Sequence, residues 1–157
     1  MKAIVYTRGD GGVSVCYPVI SQDDEEGFSE QHAIDRALGK DIPIDAVSPT
    51  VVDLEAIPQD QTFSDAWQQS GGAIVHNMEK CRAILRDRMR FSRAPKLAVL
   101  DIEYQRADEV GDVARKQAIA AKKQKLRDVT KLPEIDAATT LEALKAVWPQ
   151  DVLGSVS

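Results

Sequence analysis

The sequence predicts an α+β protein: a small N-terminal antiparallel sheet with a short helix, followed by a C-terminal helical hairpin and a short terminal helix. Three observations carry this expectation. Two β-rich runs, Ala3–Thr7 and Val13–Tyr17, flank the turn sequence RGDGG. From Met78 onward, apolar residues recur at helical spacing: Met78, Cys81, Leu85 and Met89. Charge also divides the chain. Residues 1–77 carry four basic against thirteen acidic side chains (−9), residues 78–127 fourteen against seven (+7), and residues 128–157 two against five (−3), which together give the formal net charge of −5. Two domains are expected, an acidic α+β domain over 1–76 and a basic helical hairpin with a short C-terminal helix over 77–157.

Taken in order, the first two runs form a β-hairpin closed by the glycines and aspartate of RGDGG. The same residues spell Arg8-Gly9-Asp10, a tripeptide used by integrin ligands, and the turn requirement alone accounts for it. The acidic cluster Asp23–Glu26 reads as a solvated loop, since no glycine or asparagine stands at calcium-loop spacing. Ser29 is an N-cap for a helix ending at Gly39, with Phe28, Ala33, Ile34, Ala37 and Leu38 available to pack. Prolines 43, 49 and 58 surround a third strand, Thr50–Leu54. TFSDAWQQSGG then suggests one helical turn stopped by Gly71 and Gly72, anchored by Phe63 and Trp67 four residues apart, before an extended Ala73–Val75.

Asn77 is the expected N-cap of the next helix. Pro95 lacks the N–H that a helix interior needs and disfavours helical geometry at Ala94, so a kink or break is expected near Ser92–Pro95. A further helix from Lys96 to about Asp108 carries Leu97, Leu100 and Tyr104 on one side, with Val99 and Ile102 on another. Val113–Asp128 reads as the antiparallel return helix, weakly packed because only Ile119 and Leu126 are bulky at helical spacing. A capping box, Thr139 to Glu142, opens the terminal helix, which carries Leu141, Leu144 and Val147 to Trp148. The final DVLGSVS reads as polar and small.

The chemistry legible in the sequence is sparse. His32 and His76 are the only histidines and Cys16 and Cys81 the only cysteines. No zinc spacing, nucleophile signature or phosphate-binding glycine loop is present, so no catalytic residue, cofactor or metal is expected. No stretch approaches the roughly 20 apolar residues that span a bilayer, and a disulfide is not expected in the reduced cytoplasm. Phe63, Trp67, Leu97, Leu100 and Tyr104 stand out as core or interface anchors. Arg115, Lys122, Lys123 and Arg127 form the expected exposed basic face. RDRMRFSR at 86–93 and RKQAIAAKKQKLR at 115–127 raise nucleic-acid binding or host regulation as an alternative, against which stand the pI of about 5.1 and few aromatics.

RFSRAPKLAVLDIEYQRADEVGD and AIAAKKQKLRDVTKLPEIDAATTLEALKAVWP resemble small proteins encoded among tail genes of bacteriophages and prophages. Within them, KQKLRDVTKLPEID and the terminal WP are similar to the C-terminal region of tail-fibre assembly proteins. MKAIVYTRGDGGVSV and FSDAW resemble the same group, although the tryptophan-rich helical region usual in the assembly proteins is missing. The resemblance implies a tail-associated structural or adaptor protein near the baseplate or receptor-binding apparatus. Such a protein binds a tail or fibre protein, or copies of itself, through its sheet face and helical hairpin. The alternative it implies is a transient tail-fibre assembly chaperone. The expected location is the host cytoplasm during production, and the virion tail for a structural component.

Overall fold

A computed structural model describes residues 1–20 and 29–156. The acidic cluster Asp23–Glu26 and the packing expected of Phe28 lie outside the described residues. The chain divides into two compact units, Met1–Asn77 and Met78–Ser157. It is a mixed α+β fold, with the small antiparallel sheet and short helix first and the long helices and short terminal helices after them.

In the first unit, β1 (Lys2–Thr7) lies between β2 (Val13–Cys16) and β3 (Val47–Asp53) in a three-stranded antiparallel sheet. The β1–β2 turn is held by its own side chains. Asp10 accepts from the Gly12 N–H at 2.8 Å, and Arg8 reaches back to Asp10 at 3.2 Å, the Val13 carbonyl at 3.1 Å and Ser14 Oγ at 2.9 Å. These contacts hold the Asp10 carboxyl below the usual carboxylate range, the Gly12 N–H first and the Arg8 guanidinium second. The arginine of the RGD tripeptide is thereby engaged within the turn.

Helix α1 (Glu30–Lys40) starts where expected, with Ser29 accepting from the His32 N–H at 3.1 Å. It buries Ala33, Ile34 and Ala37 and leaves Leu38 exposed. Because β-strand side chains alternate, β1 serves two cores. Ile4 points to Ile34 and Ala37 of α1, whereas Ala3 and Val5 point to Val13, Ile57 and Trp67.

The helical turn expected across TFSDAWQQSGG is confined to a 3₁₀ turn at Ser64–Ala66. Trp67–Ser70 is instead β4, paired antiparallel with β5 (Ala73–His76) across Gly71–Gly72. Both glycines have positive φ, 56° and 86°, as a two-residue type I′ turn demands. Phe63 and Trp67 are both buried, but not on one helix face. With α1 on one side and this hairpin on the other, the centre of the sheet is covered on both faces. The central strand β1 is therefore covered by the chain itself, while Val47 and Val51 of the edge strand β3 stay exposed.

Gln69 of β4 closes an irregularity in that sheet. The β1–β3 register shifts between Val5 and Thr7, and Ser48 takes a positive φ of 51°. The Gln69 amide donates to the Ser48 carbonyl at 2.8 Å, Thr50 Oγ1 at 3.0 Å and the Val5 carbonyl at 3.4 Å, while accepting from Thr7 Oγ1 at 3.2 Å. One side chain thus serves the polar groups around the shifted ladder.

The second unit is built on α2, which runs unbroken from Met78 to Glu109. Of the kink or break expected at Pro95, the break does not occur, and the two helices expected there are one. Phe91, whose carbonyl loses its partner to Pro95, lies on the exposed side, where water can replace the bond; Cys81, Leu85, Met89 and Ala107 hold the opposite side in the core. Helix α3 (Val113–Asp128), capped by Asp112, returns against α2 and buries Ile119 and Leu126.

Three short helices follow: α4 (Pro133–Ala137), α5 (Leu141–Ala146) and α6 (Gln150–Leu153). The cap of α5 is Thr140, accepting from the Ala143 N–H at 3.2 Å, one residue beyond the expected Thr139 box. The terminal segment is more than polar, since Leu153 is buried and the Trp148 indole donates to the Gly154 carbonyl at 2.8 Å.

Arginines join these pieces. Arg82 donates to the carbonyls of Ile135 (3.2 Å) and Ala138 (2.9 Å), Arg86 to that of Thr130 (3.2 Å), and Arg93 to those of Leu126 (3.3 Å) and Arg127 (2.8 Å). The last carbonyls of a helix lack intrahelical donors and carry partial negative charge, so guanidinium groups suit them. Part of the basic character of α2 is consequently internal to the fold.

Candidate functional site

Successive α-helical residues are rotated by about 100°, so the adjacent Lys122 and Lys123 leave α3 in different directions. Lys123 meets Asp101 of α2 in an ion pair and lies 5.4 Å from the centre of the Tyr104 ring. Lys116 lies 5.5 Å from the same ring and pairs with Asp108, a hydrogen bond that raises its pKa above the ordinary lysine value. Tyr104, half-buried, is flanked by two ammonium groups in cation–π geometry. Lys123 therefore does not belong to a free basic face: it fastens α3 to α2.

The other side of the hairpin is open. Lys96, Val99 and Leu100 of α2, Lys122, Lys125 and Leu126 of α3, and Asp151 and Val152 at α6 enclose a groove of about 500 Å³. Leu126 is buried, Leu100 and Val152 are half-buried and Val99 is exposed, which gives the groove an apolar floor. Lys96, Lys122 and Lys125 are exposed at its rim, and the ion pairs formed among the described residues leave all three out. Lysine stems can line such a floor while the ammonium groups stay in water. With three ammonium groups against one carboxylate, Asp151, at its edge, the groove is suited to an apolar segment carrying negative charge.

The other residues singled out in the sequence lie elsewhere. Leu97 is half-buried on α2, while Arg115 and Arg127 are exposed on α3. Phe63 and Trp67 are core residues of the first unit. Lys96, Lys125 and Val152 were not legible as site residues; the lysines of KKQK at 122–125 gave the only signal, and their division between two sides of one helix follows from helix geometry alone.

His76 and the two cysteines have structural surroundings. His76 Nε2 accepts the Trp67 indole N–H at 3.0 Å, with the rings edge to face, so its ring proton belongs on Nδ1. Cys16 and Cys81 are free thiols, and burial pushes both up from the ordinary thiol value, away from a thiolate nucleophile. Among the described residues, no helix is long and apolar enough to cross a membrane. The chain matches no protein-family model, no curated protein and no solved structure.

Proposed function

We propose that this chain is a non-enzymatic bacteriophage tail-associated structural or adaptor protein, seating an apolar, acidic segment of a tail or fibre protein in the groove between α2, α3 and α6. The observation that carries the binding mode is the groove itself, where exposed apolar surface is framed by three ammonium groups outside the intramolecular ion pairs. Burying the apolar floor favours association, and the rim selects a partner of opposite charge. The tail context rests on the resemblance of the C-terminal half to proteins of tail gene clusters.

The test is quantitative mass spectrometry of gradient-purified particles and soluble lysate from a producing lysogen, with the wild-type chain and with Lys122→Glu/Lys125→Glu. A fixed copy number relative to a tail protein, lost in the charge-reversed chain, is the expected result. Abundance in the lysate without any in the particle overturns the virion role in favour of a transient assembly chaperone. Incorporation that survives charge reversal removes the groove from the argument.

A further inference from the structure

Helix α2 carries a second apolar surface, on the side turned away from its buried residues. Ile84, Arg88, Phe91, Pro95, Ala98, Ile102, Gln105 and Glu109 follow one another at alternating steps of four and three, the spacing of a coiled-coil seam. The middle of this line is open: Phe91 is 81% and Ile102 51% exposed, and Pro95 and Ala98 are exposed as well, while Ile84 and Arg88 are half-buried. From Ile84 to Ile102 the line runs for about 27 Å, at 1.5 Å per residue. An exposed phenylalanine within such a row is surface that a partner helix would remove from water.

The charge pattern states which partner and in which direction. Residues 78–93 of α2 hold six basic and two acidic side chains (+4), and residues 94–109 two basic and four acidic (−2). On the line itself, the charged residue before the apolar stretch is Arg88 and the one after it is Glu109. A parallel copy would set Arg88 against Arg88 and basic half against basic half. An antiparallel copy, with its two-fold axis between Pro95 and Ala98, sets Phe91 against Ile102 and Arg88 against Gln105, one turn from Glu109. That pairing occurs twice in a symmetric dimer.

We infer that the exposed face of α2 is a self-association surface, on which a second copy of this chain docks antiparallel about the Pro95–Ala98 region to form a two-fold dimer. Lys96, Lys122 and Lys125 take no part in this contact, so the inference stands apart from the groove. A seam this short belongs to the weak, transient end of protein association, with Kd in the micromolar range.

Sedimentation equilibrium of the full chain over a concentration series tests it, using Phe91→Asp, Arg88→Glu, Glu109→Arg and the Arg88→Glu/Glu109→Arg double variant. The wild type is expected to approach twice the chain mass by about 100 µM, and Phe91→Asp to remain a monomer with unchanged far-ultraviolet circular dichroism. Each single charge reversal weakens the dimer roughly tenfold, and the double variant recovers it. A wild-type chain that stays monomeric throughout overturns the proposal. So does a dimer indifferent to Phe91→Asp, which must use another surface, or one whose single reversals are not rescued by the double, which is not antiparallel. Unfolding of Phe91→Asp would be read by replacing it with Ile102→Ser, for which the same monomer is expected.

Discussion

The two units solve the problem of a small core in opposite ways. In the first, the central strand is covered on one face by α1 and on the other by the β4–β5 hairpin, and the irregular ladder is closed by Gln69. In the second, a 32-residue helix offers more surface than its short companions cover, leaving Phe91, Val99 and Ile102 exposed. Both units leave apolar side chains exposed, Val19, Ile44, Val47 and Val51 in the first among them, and in the second three lysines rim the apolar groove between α2, α3 and α6.

Each unit contains one buried tryptophan, Trp67 in the first and Trp148 in the second, so single-tryptophan variants can follow each separately. The strongest way to break the comparison is Leu144→Ala. Leu144 is fully buried, and the change should cost the helical unit about 2–5 kcal/mol. Urea titration followed by Trp148 should shift accordingly, while the Trp67 signal stays in place. A common shift would show that the units unfold as one.

Arg82→Met should cost about 1.5–3 kcal/mol, because it removes charge-assisted bonds to two carbonyls. The same Trp148 titration measures it. Gln69→Leu probes the other unit: about 1–3 kcal/mol should be lost in the Trp67 transition, since polar groups of the shifted ladder lose their partner. Lys122→Glu/Lys125→Glu, in contrast, should leave both transitions within about 0.5 kcal/mol, as expected for surface positions, while abolishing partner binding. Stability and binding would then separate by position within a single hairpin.

The smallest effect is on pH dependence. The folded pKa of Asp10 is lowered, so its contribution to the first unit is complete above its unfolded value of about 3.9. It is lost as the pH falls through the lower folded value. Asp10→Asn should therefore flatten the acid limb of the Trp67 stability profile without altering that of Trp148.

Much of this organisation was legible in the sequence, for identifiable reasons. The RGDGG turn, the Ser29 cap and the return helix are dictated by local chemistry, and local chemistry survives packing. In TFSDAWQQSGG the four-residue step from Phe63 to Trp67 imitates a helical turn. Gly71–Gly72 between two short runs is the signature of a two-residue hairpin. The local cost of Pro95 is real, but the packing of α2 on both sides of it keeps the helix continuous. The groove was legible only as a cluster of lysines, because its floor joins α2 and α3 to Val152, and no local pattern encodes that encounter.

The arginine clasp has a consequence for sequence change. Arg82, Arg86 and Arg93 grip carbonyl oxygens, which every residue supplies whatever its side chain. An exposed position of the segment from Leu126 to Ala138 such as Arg127 can therefore vary without losing its acceptor, whereas Asp136, whose carboxylate accepts from Arg86 at 2.7 Å, and Thr130, whose hydroxyl accepts from Arg93 at 3.4 Å, contribute through their side chains. The arginines cannot be exchanged so freely, because the bonds from Arg82 to two carbonyls use its planar fork, and lysine offers a single point of charge. Variation should therefore be asymmetric across this contact, with the donors fixed and the positions that accept only through their carbonyls free to drift.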